Sequence, residues 1–123
     1  MLQLELYVKG VEAPEKLFVE AFGMEVTEAA DGWRFLHHAD NFAIMLFDPD
    51  IIHEDTDHWV FSDGPRGQGI QIVMCVADAA LTRAAVQKLG YVCSELYYPP
   101  WGSTEFTFRL TEGYLVRVKQ PKA

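Results

Sequence analysis

The stretch IQIVMCVADAALTRAAVQKLGYVCSELYYPPWGSTEFTFRLTEGYLVRVK, residues 70–119, decides the fold, because LQLELYVKGVEAPEKLFVEAFGMEVTEAADGWRFLHHADNFAIMLF, residues 2–47, runs through the same order of patterns. An apolar run ending at Val76 leads through a short polar link and a helical pattern to Gly90; a run ending at Val8 leads through another such link and helix to Gly23. After each glycine comes a short strand pattern, residues 91–95 in the later stretch and 24–28 in the earlier, and then a Gly-containing turn. Two further strands close each stretch. They are residues 104–110 and 114–119 around Thr111-Glu112-Gly113, and residues 33–37 and 42–47 around Ala39-Asp40-Asn41. Self-similarity at this period marks a duplicated supersecondary unit. The fold class expected is α+β, two tandem βαβββ modules at about residues 1–50 and 68–121, with a linker at about 51–67, within one domain of 123 residues.

Working outward, Leu2, Leu4, Leu6 and Val8 alternate with Gln3, Glu5 and Tyr7, the period of a strand with one apolar face. The helix expected over that face spans residues 13–22, with Pro14 in its first turn, Glu12 and Glu15 complementing its dipole, Leu17, Phe18, Ala21 and Phe22 on one side, and Gly23 as its stop. The second helix copies it, with Asp78 as N-cap, Leu81, Ala85 and Leu89 at helical spacing, and Gly90 at its end.

Half of the residues are apolar, enough for one core and too few for two ordinary domains at this length. No apolar stretch reaches the roughly 18 residues of a membrane span, and no signal-peptide pattern opens the chain, so a soluble cytoplasmic protein is expected. Cys75 and Cys93 fall on predicted strands and read as reduced, buried thiols. With 18 acidic residues against 10 basic ones and a net charge of -8, the chain lacks the composition of a nucleic-acid binder. Such a field attracts a cationic or zwitterionic small ligand and also serves plain solubility.

Residues 48–69 mix Pro, Gly and charge around an apolar island, Trp59-Val60-Phe61, which fits an extra strand, a lid or a subunit contact. Leu96-Tyr97-Tyr98-Pro99-Pro100-Trp101-Gly102 is an aromatic loop kept extended by its prolines, of a kind that lines pockets.

The repeated order, with Trp101-Gly102 ahead of a strand and Glu112-Gly113-Tyr114-Leu115 leading into the last one, resembles the vicinal oxygen chelate superfamily. That group includes glyoxalase I, fosfomycin-resistance transferases, extradiol dioxygenases and bleomycin-resistance proteins. The Asp31-Gly32-Trp33 and Ala39-Asp40-Asn41 turns are most similar to the bleomycin-resistance branch. The resemblance implies curved mixed sheets around a cleft, helices on the outer face, and a homodimer with the linker as candidate contact. It also implies metal-ligand positions on the first and last strand of each module. By register these fall on Gln3, Met45, Gln71 and Arg117. A divalent ion prefers carboxylate and imidazole, and a fixed guanidinium repels it. No cofactor is therefore expected, with a divalent metal as the alternative.

Side chains two apart share a strand face. The face of those four positions also carries Glu5, Tyr7, Trp33, Phe35, His37, Ala43 and Phe47 in the first module, and Val73, Cys75, Glu105, Thr107, Arg109, Leu115 and Lys119 in the second. Trp101 joins them from the aromatic loop. Such a cavity suits an aromatic or conjugated ligand bearing a polar or ionised group, with Arg109 and Arg117 clamping a carboxylate and Glu105 as their internal partner. The alternative reading is that Trp33, Phe35 and Phe47 only fill the concave side of the sheet while Arg117 pairs with Glu5 or Glu105. His37 and His38 point to opposite faces, so only His37 sees the cavity, as a wall residue or a general base beside Glu5 or Glu105. His53 and His58 with Glu54, Asp55 and Asp57 read as a solvated loop. Phosphate-loop, paired-cysteine zinc and nucleophile-elbow patterns are all missing, and Gly64-Pro65-Arg66-Gly67-Gln68-Gly69 reads as a turn.

Two functions follow as expectations. The first is a metal-independent binding protein resembling bleomycin-resistance proteins, whose aromatic residues Trp33, Phe35, Trp59 and Trp101 suit a partly planar ligand. The second is a glyoxalase-like or dioxygenase-like enzyme with atypical metal ligation or with His37 as its base.

Overall fold

The computed structural model describes residues 2–39, 42–51, 67 and 70–123. Trp59-Val60-Phe61, the His53 and His58 patch and most of the linker lie outside the described residues. The chain divides into two units, Met1–Gly64 and Pro65–Ala123. The element order is β1 (Leu2–Tyr7), α1 (Glu12–Phe22), β2 (Glu25–Ala30), β3 (Trp33–His38) and β4 (Phe42–Phe47), followed by β5 (Gln71–Cys75), α2 (Ala79–Lys88), β6 (Thr104–Arg109) and β7 (Leu115–Gln120). None of the helices among the described residues is long and apolar enough to cross a membrane.

In the first unit the sheet order is β1-β4-β3-β2. Short connections make β2, β3 and β4 antiparallel neighbours, and β1 returns parallel to β4 with Glu5 opposite Met45 and Tyr7 opposite Phe47. One face buries Leu6, Leu36, Ile44 and Leu46. Arg34 shares that face with Leu36 by alternation, and its Nε donates to Glu15 Oε1 at 2.6 Å, which lays α1 over it. The helix contributes Pro14, Leu17, Phe18 and Phe22 to the core. Each such aliphatic or aromatic side chain stabilises the fold by about 1.5–3 kcal/mol on burial. Gly23 ends α1 at φ 68°, a left-handed conformation, and the Met24 and Gly23 amides donate to the carbonyls of Phe18 and Val19.

In the second unit the order is β5-β7-β6, with β5 parallel to β7 and β6 antiparallel to it. Ile72, Met74, Phe106, Phe108, Val116 and Val118 form its buried face. Gln120 lies on that same face of β7, and its Oε1 accepts the Ala79 amide at 2.9 Å, which seats α2 there.

Two sequence expectations are corrected in this unit. Residues 91–95 do not form a fourth strand; only isolated bridges join Cys93 to Phe108 and Tyr97 to Glu105. The ladder is interrupted at Ser94, whose amide donates to the Thr107 carbonyl while its hydroxyl accepts the Thr107 amide, both at 2.9 Å. The Ser94 carbonyl, released from strand pairing, accepts from Arg83 Nε at 2.7 Å. A side-chain oxygen thus replaces a backbone one and pairing stops.

The apolar face of α2 is also not the one expected. Leu81 is 71% exposed, and Ala79 and Val86, seven residues apart, are buried instead. Leu81 sits two residues beyond Ala79, roughly 200° round the helix and so on its far side. Asp78 does cap the helix, with Oδ1 accepting the Leu81 amide at 3.0 Å. Asp78→Ala should lower stability by about 1 kcal/mol in urea unfolding, with the native circular dichroism retained.

Candidate functional site

In each unit a helix covers one sheet face and the other carries the residues singled out from the sequence. On the first sheet Gln3, Glu5, Tyr7, Ala43, Met45, Phe47, Trp33, Phe35 and His37 share this second face by register. Trp33, Phe35 and His37 form a strip along β3, with ring centroids 6.2 Å and then 4.8 Å apart. Tyr7 meets Phe47 edge to face at 5.9 Å. Gln3 and Glu5 are exposed, and Phe47 is buried. The β2–β3 register shifts between Val26 and Glu28, and Thr27 at that bulge places its hydroxyl 2.8 Å from His37 Nδ1. His37 is therefore engaged by a hydroxyl, with Glu5 absent from its hydrogen bonds.

On the second sheet the corresponding face is a grid of three rungs. Cys75, Lys119 and Glu105 lie across one rung, Val73, Arg117 and Thr107 across the next, and Gln71, Leu115 and Arg109 across the third. Glu105 is fully buried although Gln71, Val73, Cys75 and Arg109 on the same face are exposed. Its Oε2 accepts from Ser103 Oγ at 2.5 Å and from Trp101 Nε1 at 3.0 Å. Its Oε1 accepts from the Tyr97 hydroxyl at 3.3 Å and faces Arg117 Nε, also at 3.3 Å. Burial alone would raise the Glu105 carboxyl, but the bonds from Ser103 and Trp101, the Arg117 charge and the Tyr97 bond outweigh it and hold the pKa below the ordinary value. Burial pushes the Tyr97 phenol up, and the neighbouring carboxylate adds to this. Arg109 does not join Arg117 at Glu105; its guanidinium donates to the Gly113 carbonyl at 2.8 Å and braces the turn before β7.

No protein-family model matches the sequence, and no curated protein matches it. Solved structures do. A lactoylglutathione lyase from Agrobacterium tumefaciens is similar at a TM-score of 0.70 and 22% identity, over 98% of this chain and 92% of that one. A glyoxalase-related enzyme from Fulvimarina pelagi gives 0.78 at 14% identity over 98% and 86%, and a glyoxalase/bleomycin resistance protein/dioxygenase from Nocardioides gives 0.73 at 15% over 98% and 82%. The chain has the vicinal oxygen chelate fold. Likeness at these identities establishes architecture, and activity has to be argued from the residues.

The positions where the vicinal oxygen chelate resemblance places metal ligands do not fit a divalent ion. Met45 offers a thioether, and Arg117 is a guanidinium with no acceptor atom, already facing a buried carboxylate. Gln3 and Gln71 supply only amide oxygens. Among the described residues, no three His, Cys, Asp or Glu side chains gather as a metal-binding group.

Of the residues that hold Glu105, Ser103 is not singled out by the sequence, and Tyr97 stands out only as part of the aromatic loop and not as a partner of Glu105. Trp101, Ser103 and Glu105 follow one another at a spacing of two, a signal that would have placed Ser103 beside Glu105. Tyr97 gave no such signal, because its approach depends on the bridge to Glu105 from outside any strand. The cysteines are a further correction. Both are free thiols as expected, but Cys75 is exposed and Cys93 half-buried, because Cys75 sits on the face of β5 opposite the buried Ile72 and Met74. Burial raises the Cys93 pKa against the opposing charge of Arg83. An aromatic disulfide reagent at neutral pH should therefore label Cys75 about tenfold faster than Cys93, read by peptide mass spectrometry.

Proposed function

We propose that the protein is a cytoplasmic homodimer that binds a small aromatic or charged organic molecule without a metal, a role resembling that of bleomycin-resistance proteins. The observation that carries this reading is the Glu105–Arg117 pair. A buried carboxylate with donors on both oxygens faces an arginine at a position where the resemblance would put a metal ligand. Arg117 is suited to ligand recognition and unsuited to ligating a cation. Around it, Trp101 is 61% exposed and Tyr97 38% exposed, so ring surface is available beside the charge. On the first unit the candidate contacts are Glu5, Tyr7, Trp33, Phe35, His37, Met45 and Phe47; on the second they are Gln71, Trp101, Glu105, Arg109 and Arg117.

The test is thermal denaturation of chelator-treated protein against a panel of aromatic acids, amines and amides. Saturable stabilisation that is the same with and without added Zn, Ni, Mn or Fe supports the proposal; a ligand at a hundred times its Kd contributes about 2.7 kcal/mol. Stabilisation that appears only after a metal is added contradicts it. A second reading, a lyase or oxygenase with atypical ligation, draws on the lactoylglutathione lyase and glyoxalase-related neighbours. It requires loss of turnover on changing Gln3 or Gln71. Light scattering tests the dimer.

A further inference from the structure

We infer that the face of β5, β7 and β6 turned away from α2 is a site for the carboxylate, or an equivalent oxyanion, of an aromatic molecule, with Arg117 as the contacting cation and Glu105 and Ser103 as the residues that position it. This rests on the reading of that face as ligand-binding and adds the charge class of the ligand.

The acidity of the chain conceals an uneven distribution. Met1–Gly64 holds fourteen acidic residues against three basic ones, whereas Pro65–Ala123 holds four against seven. The negative charge belongs to the first unit, and the second is net positive. Within the second, that charge gathers on the sheet face turned away from α2. Arg109, Arg117 and Lys119 all fall on it, with Glu105 as its one acid. Arg109, Arg117 and Lys119 make that face locally cationic, which favours an anion there.

Glu105 does not compete for that role. A carboxylate has about four lone-pair sites. Ser103, Trp101, Tyr97 and Arg117 surround them, and the side chain is fully buried. It is therefore closed to solvent and faces Arg117 as a fixed countercharge. Arg117 is left with unused capacity. Its Nε lies 3.3 Å from Glu105 Oε1 without meeting hydrogen-bond geometry, and its side chain is 30% exposed. Its terminal N–H groups form no hydrogen bond among the described residues, and a guanidinium offers these to a carboxylate as a bidentate pair. Lys119 stands two residues along the same strand face, opposite Glu105, and forms no ion pair among the described residues. It adds a second, flexible positive charge.

The aromatic part of the ligand follows from the same hub. Trp101 and Tyr97 are tied by their polar tips to Glu105, which turns their carbon surface outward beside Arg117. The raised Tyr97 pKa keeps the phenol neutral, so it does not repel an anion.

The test is isothermal titration of metal-free protein with 2-naphthoate, its neutral amide, and 2-naphthylmethylammonium. The carboxylate should bind at least about tenfold more tightly than the amide, as charge-assisted hydrogen bonds allow. Arg117→Met should abolish that preference and Arg117→Lys should restore part of it, since lysine supplies charge without the fork. Lys119→Met, at a position with no ion pair among the described residues, should keep the thermal transition and reduce both the acid-over-amide ratio and its dependence on salt. Lys88→Met on α2 is the control. If Arg117→Met does not fold, Lys119→Met decides, and an unchanged ratio overturns the inference. Equal binding of acid and amide that Arg117→Met leaves unaltered overturns the anion assignment while the small-molecule reading stands. Failure of all three compounds to bind folded protein overturns both.

Discussion

Replacing Glu105 with alanine is expected to lower the unfolding free energy by about 3 kcal/mol, because removing one partner of a buried pair strands the others. Ser103, Trp101 and Tyr97 lose their shared acceptor, and Arg117 loses the carboxylate facing its Nε. The upper part of the usual range is not expected, since the 30% exposure of Arg117 lets water recover some of the loss. Urea unfolding followed by circular dichroism measures it; a change under about 0.5 kcal/mol, the level of a neutral surface substitution, would show that the hub does not stabilise the fold. The same group sets a pH dependence. The folded pKa of Glu105 lies below its ordinary 4.5, so folding favours the ionised form. Its contribution is complete above that value and is lost as pH falls through the lower folded pKa. The stability gap between wild type and Glu105→Gln should therefore be widest at neutral pH and narrow below pH 4.5.

Phe106→Ala, one residue along β6, should cost about 3–5 kcal/mol by a different route. The ring is fully buried on the α2 side and lies 6.1 Å from Phe108 at 23°. Its loss leaves a cavity without an unpaired charge, so the penalty should stay level between pH 7 and pH 4, unlike that of Glu105. Parallel pH dependence in the two variants would mean that the Glu105 effect is packing and not electrostatics.

What the sequence made legible follows the strength of each local signal. Leu4, Leu6 and Val8 alternate cleanly, Gly23 takes the left-handed turn that ends α1, and Asp78 caps α2; each is set by geometry within a few residues. The shared face of Glu105, Thr107 and Arg109 with Arg117 and Lys119 followed from the same alternation. The failures depended on tertiary partners. Residues 91–95 carry a strand pattern, but whether it pairs depends on Ser94 turning its hydroxyl to Thr107 and its carbonyl to Arg83. The phase of α2 is set by Ala79 and Val86 against the sheet, a choice that Leu81 and Ala85 obscured. Arg109 was grouped with Arg117 by spacing alone, and its capture by the Gly113 carbonyl is a property of the turn.

On the proposed reading this vicinal oxygen chelate fold binds its ligand without a metal, since Met45 and Arg117 occupy positions where the resemblance would put metal ligands. The direct measurement is metal content by mass spectrometry on untagged protein, before and after chelation, normalised to subunit concentration. No stoichiometric metal at either stage and unchanged ligand binding after chelation are the expected results. Near-stoichiometric Zn, Ni, Mn or Fe that is retained through chelation and lost on changing Gln3 or Gln71 would contradict that reading.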